Sequence, residues 1–157
     1  MSRKVLFKRT IVLPALYKSL EMLGEFVALA SKEAGLGEPD LYKIQLAVDE
    51  ACSNIIEHAY GGETDSQDIT CTCKATQDSI IIELQDHGRA FDPEIIPLPN
   101  ISASLNSRST GGLGLYFMRQ LMDEVVFKFS PGQNSENGAK TASGNLLILV
   151  KRKEAPA

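Results

Sequence analysis

Three short stretches of this chain concentrate residues able to do chemistry. The first runs Asp49-Glu50-Ala51-Cys52-Ser53-Asn54-Ile55-Ile56-Glu57-His58. On a helix, Glu50 and Asn54 stand four residues apart and so ~40° apart around the axis. One face then offers a carboxylate able to orient or deprotonate a hydroxyl, beside an amide oxygen suited to a hard cation such as Mg²⁺. The solvated polar edge of an amphipathic helix would look the same. The second stretch, Asp86-His87-Gly88-Arg89-Ala90-Phe91-Asp92-Pro93, follows an apolar run. A buried carboxylate at a strand end can accept a hydrogen bond from an exocyclic amine, and a glycine lets a flat ring approach the backbone. A plain Asp-x-Gly turn is the alternative. The third, Thr110-Gly111-Gly112-Leu113-Gly114-Leu115, opens a helix. Glycines at a helix start expose backbone N–H groups, and the dipole there attracts anions such as phosphate. It is not a Walker A loop, because no Lys-Ser/Thr follows the last glycine. Nor is it the dinucleotide fingerprint, because these glycines do not link strand to helix in a βαβ unit.

The elements that must position these groups are readable from periodicity. Residues 4–13 are β-branched and mixed in polarity, which predicts a first strand. Pro14 sits where a helix can begin, and Leu16, Leu20, Leu23, Phe26, Val27 and Ala30 recur at helical steps as far as Ala34. Gly35 and Gly37 end that helix. Asp40 is placed to cap a second helix that runs to about Tyr60 and closes on Gly61-Gly62, with Ile44, Ala47, Val48, Ala51, Ile55 and Ile56 as its apolar face. Two strands follow, at 67–75 and 79–85, across the turn Thr76-Gln77-Asp78. Ile69, Cys71 and Cys73 alternate on the first, pointing to a core face, and Ile80-Ile81-Ile82 reads as buried on both faces. From Asp86 to Gly114 the pattern dissolves into loop chemistry, a length that in a small domain is functional or disordered. A helix at 113–123 and strands at 124–130 and 144–151 complete the order β-α-α-β-β-loop-α-β-β. That order predicts an α+β class: a two-layer α/β sandwich with helices on one face of a mostly antiparallel sheet.

Composition narrows the function. The 157 residues hold 16 basic and 20 acidic side chains, a net charge of −4, with no Trp and no concentrated Lys/Arg block, which argues against nucleic-acid binding. The cationic end Lys151-Arg152-Lys153 reads as a solvated tail. No apolar run approaches the ~20 residues that cross a bilayer. The stretch Ile11 to Leu16, broken by Pro14 and flanked by Lys8, Arg9 and Lys18, is no signal peptide. Three cysteines with no C-x-x-C pair suggest reduced thiols and a cytoplasmic protein. No repeat or low-complexity stretch divides the chain, so a single domain over 1–157, with its core at about 8–152, is expected.

Taken in order, the three stretches resemble the N, G1 and G2 boxes of the GHKL superfamily of ATPases. Within it, "LAVDEACSNIIEHAY", "IELQDHGRAFDP" and "GGLGLYFMRQLMDEV" are similar to the bacterial anti-sigma factors of the serine-protein kinase type. The resemblance covers residues 8–152 and implies the histidine-kinase-like ATPase fold. It implies that Asn54 is the Mg²⁺ ligand and Glu50 the general base acting on a substrate serine. Asp86 would accept the adenine amino group, Gly88 would give the ring room, and Ala90 would lie beside it. Thr110, Gly111, Gly112, Leu113, Gly114 and Leu115 would wrap the phosphates of ATP under a lid at 94–110, with Arg108 as a phosphate contact. The family's closing Gly-Thr pair is replaced here by Gly144-Asn145, with Thr141 upstream, and the 131–143 connection is long. His58 reads as structural and His87 as an exposed turn residue.

The implied function is an ATP-dependent serine/threonine protein kinase that phosphorylates an anti-sigma-factor antagonist and binds a sigma factor. A homodimer through the first strand and helix is plausible from the same resemblance. The alternative is a non-catalytic ATP-binding module that switches between partners. A sensor histidine kinase fits poorly, because only about 35 residues precede the second helix and neither histidine lies among them.

Overall fold

The computed structural model describes residues 4–91, 110–130 and 144–154. The elements run β1 (Val5–Ala15), α1 (Ser19–Glu33), α2 (Asp40–Asn54) with a π-helical turn (Ile55–Ala59), β2 (Thr64–Thr76), β3 (Ser79–Asp86), α3 (Thr110–Leu121), β4 (Glu124–Ser130) and β5 (Gly144–Arg152). The five strands form one antiparallel sheet in the order β1-β2-β3-β5-β4. The fold is α+β, as expected.

The core lies between the helices and one sheet face. Leu23 and Val27 of α1, Ile44 and Val48 of α2, and Met118 of α3 pack over Ile69, Cys71, Cys73, Ile80, Ile82, Leu84 and Leu149. These side chains are removed from water, the dominant favourable contribution to folding. Cys71 and Cys73 do face the core, and all three cysteines are free thiols. Ile81 departs from expectation. It is only half-buried, because it points to the opposite sheet face, where Thr10 meets Thr72 at 3.1 Å and Lys74 pairs with Glu83.

Three boundaries also differ from the sequence reading. Pro14 does not begin a helix: it stays in β1 opposite Asp68, and α1 starts at Ser19. A proline is tolerated there because β1 is the sheet edge. Asp40 is the first residue of α2 rather than its cap, and makes no capping hydrogen bond. Its carboxylate lies 4.0 Å from Lys151 Nζ, which also donates to the Leu121 carbonyl at the end of α3 at 2.9 Å. Anion at a helix start and cation at a helix end both suit the helix dipole. Finally, α3 begins at Thr110, so the glycine-rich stretch is already helical.

The last turn of the second helix is wide. Tyr60 N–H donates to the Ile55 carbonyl at 3.0 Å, an i to i+5 bond in place of i to i+4. Gly61 and Gly62 then end it with φ of 74° and 137°, a left-handed backbone that suits glycine.

Candidate functional site

The end of α2, the end of β3, the start of β5 and the middle of α3 converge. Ala51, Asn54, Ile55, Leu84, Asp86, Phe91, Met118, Phe127, Asn145 and Leu147 line a small, almost wholly apolar cavity of about 10 Å³. The sheet accounts for two of its polar members, because Asp86 and Asn145 are register partners across β3 and β5. The helix accounts for the third, because Asn54 ends the buried stripe of α2.

Asp86 is only 1% exposed, so its carboxylate must find donors within the protein or a ligand. Oδ1 accepts from Gly88 N–H at 2.9 Å and from Asn145 Nδ2 at 3.0 Å. Oδ2 is buried and has no hydrogen-bond partner among the described residues. Burial raises the Asp86 carboxyl above the ordinary aspartate range, and the Asn145 and Gly88 donors offset this only in part. A buried carboxylate oxygen without a donor is rare and costly in a folded protein. In chemical terms Oδ2 can accept a further hydrogen bond.

Glu50 lies one turn before Asn54, half-buried and outside the cavity lining. Burial first, then repulsion from Asp49 and Glu57, raises its carboxyl above the ordinary glutamate range. Such a group is a better proton acceptor than a free glutamate once ionised.

Gly88 has a reason to be glycine that the sequence did not suggest. A Cβ there would lie 2.5 Å from the Ala59 carbonyl oxygen. The same carbonyl accepts from Arg89 N–H at 2.7 Å, and the Arg89 guanidinium reaches the His58 carbonyl at 3.4 Å. The loop after β3 is thus fastened to the wide turn of the second helix. Gly88 and Ala90 line a separate open depression with Tyr60, Thr64, Gln67 and His87, not the Asp86 cavity.

The structure therefore brings Asn54 and Asp86 together, with Glu50 one turn away. Leu115 is buried in the core on α3. Thr110, Gly111, Gly112, Leu113 and Gly114 form the first turns of α3. Arg108, the expected lid at 94–110 except Thr110, Thr141 and the 131–143 connection lie outside the described residues. His87 is exposed, while His58 is half-buried, 5.9 Å from the Phe91 ring. The sequence reading missed Met118, Phe127 and Asn145 as cavity residues. Met118 stands one turn beyond Gly114, so the helical period was a usable signal. In the sequence Asn145 stands out only as a departure from Gly-Thr.

A family described as the histidine kinase-like ATPase domain matches residues 13–137. The chain is 33% identical to the serine-protein kinase RsbW of Bacillus licheniformis over 109 residues, which span 66% of each protein, just under two thirds. It is 33% identical to the protein of the same name from Listeria monocytogenes over 132 residues, 80% of this chain and 82% of the relative. Against that of Bacillus velezensis it is 33% identical over 98 residues, 59% and 60% of the two chains. With a matching domain over most of its length, an antiparallel α+β fold and the three ordered stretches, this chain belongs to the histidine kinase-like ATPase family.

Proposed function

We propose that this protein is an ATP-dependent serine/threonine protein kinase of the anti-sigma type, working in the cytoplasm. It transfers phosphate to a serine of an anti-sigma-factor antagonist and binds a sigma factor. The observation that carries the nucleotide reading is the buried Asp86 carboxylate, with one oxygen satisfied by the protein and the other left for a donor such as the adenine amino group. The start of α3 suits the nucleotide's phosphates.

Asn54 is the proposed Mg²⁺ ligand, through its side-chain amide oxygen. Among the described residues no group of three or more His, Cys, Asp or Glu forms a metal site. A Mg²⁺ ion held there would keep most of its waters, take one amide oxygen and be bound mainly through phosphates. When bound, Mg²⁺ neutralises charge on the transferring phosphoryl group. Glu50 accepts the serine hydroxyl proton, and its raised proton affinity suits that role. Arg108 and the residues from Thr110 to Leu115 are the proposed phosphate contacts.

The test incubates the protein with Mg²⁺, labelled ATP and a cognate antagonist. Label on a serine is the expected result. Normal ATP uptake with no label on the antagonist would overturn the kinase reading and leave a non-catalytic partner switch. Absence of Mg²⁺-dependent ATP uptake would overturn both.

A further inference from the structure

The open depression beside the loop that follows β3 is separate from the Asp86 cavity and encloses about 460 Å³, the size of a site for a small organic molecule. Donor-bearing side chains reach it from two elements: Gln67 from β2, and His87 and Arg89 from the loop. Its wall is held firmly. The Tyr60 hydroxyl donates to the Asp68 carbonyl at 2.6 Å and accepts from His87 N–H at 3.0 Å. Arg89 is tied at its backbone, where its N–H meets the Ala59 carbonyl at 2.7 Å. The side-chain donors, by contrast, are largely unspent. The guanidinium carries five N–H groups and directs one, at 3.4 Å, to the His58 carbonyl. Among the described residues neither the Gln67 amide nor the His87 ring has a hydrogen-bond partner.

The sign of the depression opposes that of the chain. The sequence holds 20 acidic against 16 basic side chains, yet the described residues that line the depression include Arg89 and His87 and no Asp or Glu. An occupant is therefore an anion. A carboxylate has two oxygens in one plane, and the guanidinium fork alone would satisfy it. Donors on two elements, approaching from different directions, suit the tetrahedral oxygens of a phosphate group instead. The volume exceeds that of a bare phosphate ion and leaves room for an organic group. We propose that this depression binds a small phosphate monoester, with Arg89 as its anchoring cation and the His87 ring and Gln67 amide as further donors. The site does not depend on the kinase reading. Its occupant would nevertheless touch the loop that holds the buried carboxylate, because Gly88 both lines the depression and donates its N–H to Asp86.

The experiment follows the imidazole C–H resonances of the full chain by NMR, at fixed pH and ionic strength. The chain has two histidines, and His87→Gln assigns them. The probes are glycerol phosphate, inorganic phosphate and acetate. Glycerol phosphate is expected to move the His87 resonance along a saturating curve with its midpoint at about 1 mM or below. Inorganic phosphate is expected to saturate more weakly, and acetate to give no saturating shift. Arg89→Gln is expected to weaken glycerol phosphate at least about tenfold, through the loss of charge-assisted hydrogen bonds. A linear drift with glycerol phosphate, an equal response to acetate, or a curve unchanged in Arg89→Gln overturns the inference. Equal saturation by inorganic phosphate overturns the ester and leaves the free ion as occupant. Should Arg89→Gln fail to fold, Gln67→Ala on β2 carries the test. Weaker binding of glycerol phosphate in that variant supports the inference, and unchanged binding overturns it.

Discussion

Replacing Gly88 with alanine separates two reasons for a glycine at that position: room for a ligand and room for the protein itself. The backbone of Gly88 is not among those with positive φ, so alanine incurs no conformational strain there. The cost is steric. The new Cβ would meet Ala59 at 2.5 Å from its oxygen, 2.6 Å from its carbonyl carbon and 2.8 Å from its own Cβ. None of these atoms is the free end of a flexible side chain, so the loop must lift away from the wide turn. Overpacking of this kind costs about 1–3 kcal/mol. Lifting also stretches the 2.7 Å bond from Arg89 N–H to the Ala59 carbonyl, worth about 1 kcal/mol more. The sum, about 2–4 kcal/mol, should lower the midpoint of thermal unfolding by roughly 4–16 °C for a chain of this size. The assay is a thermal melt by circular dichroism without nucleotide, backed by urea unfolding at constant m-value. An unfolding midpoint within a degree of wild type, with nucleotide affinity lost, would refute the argument. It would mean that glycine is needed only by the ligand.

Other outcomes follow from the same geometry. Glu50→Gln should keep ATP affinity within a few-fold and cut phosphate transfer about 10²- to 10⁴-fold in the labelled-ATP assay. In the wild type, transfer should fall as pH drops through the raised Glu50 titration, because only the ionised carboxylate accepts a proton. Asp86 has its folded proton affinity raised above the unfolded value, so the native state holds the extra proton in that window, and its contribution to stability is lost as pH rises through it. Urea unfolding of Asp86→Asn against pH should show a flatter profile than wild type across that interval. A steeper one would reverse the sign argued here. Burial raises the Cys52 thiol, and hydrogen bonding to Cys73 with burial raises the Cys71 thiol. A thiol reagent should therefore label neither until the chain is unfolded.

The fold was largely legible because its signals are local. The α2 stripe of Ile44, Ala47, Val48 and Ala51 repeats at helical steps, and Cys71 and Cys73 alternate with threonines, so one window of sequence places each on a buried face. Pro14 was misread because tolerance of proline depends on a strand lying at the edge, which sheet order decides and sequence does not show. Ile81 was misread because a run of three isoleucines does not say whether a second layer covers the sheet. At the site, Glu50, Asn54 and Asp86 could be singled out from their types and spacing. The partner of Asp86 could not, since Asn145 lies 59 positions away and meets it only through the pairing of β3 with β5. The clash that forbids a side chain at Gly88 depends on a carbonyl presented by a wide helical turn, for which no residue of 55–59 carries an obvious mark.

That turn sets the rotational phase on its two sides separately. Upstream, Asn54 stays in step with the packed stripe of α2, while downstream the Ala59 carbonyl comes round to meet Arg89. A turn of ordinary width would hold one fewer residue for the same advance and could satisfy only one of these demands. Chain length between Asn54 and Gly61 is thus more tightly constrained than side-chain identity. Removing a single residue there would rotate the loop contacts off their partners even if every remaining side chain were kept.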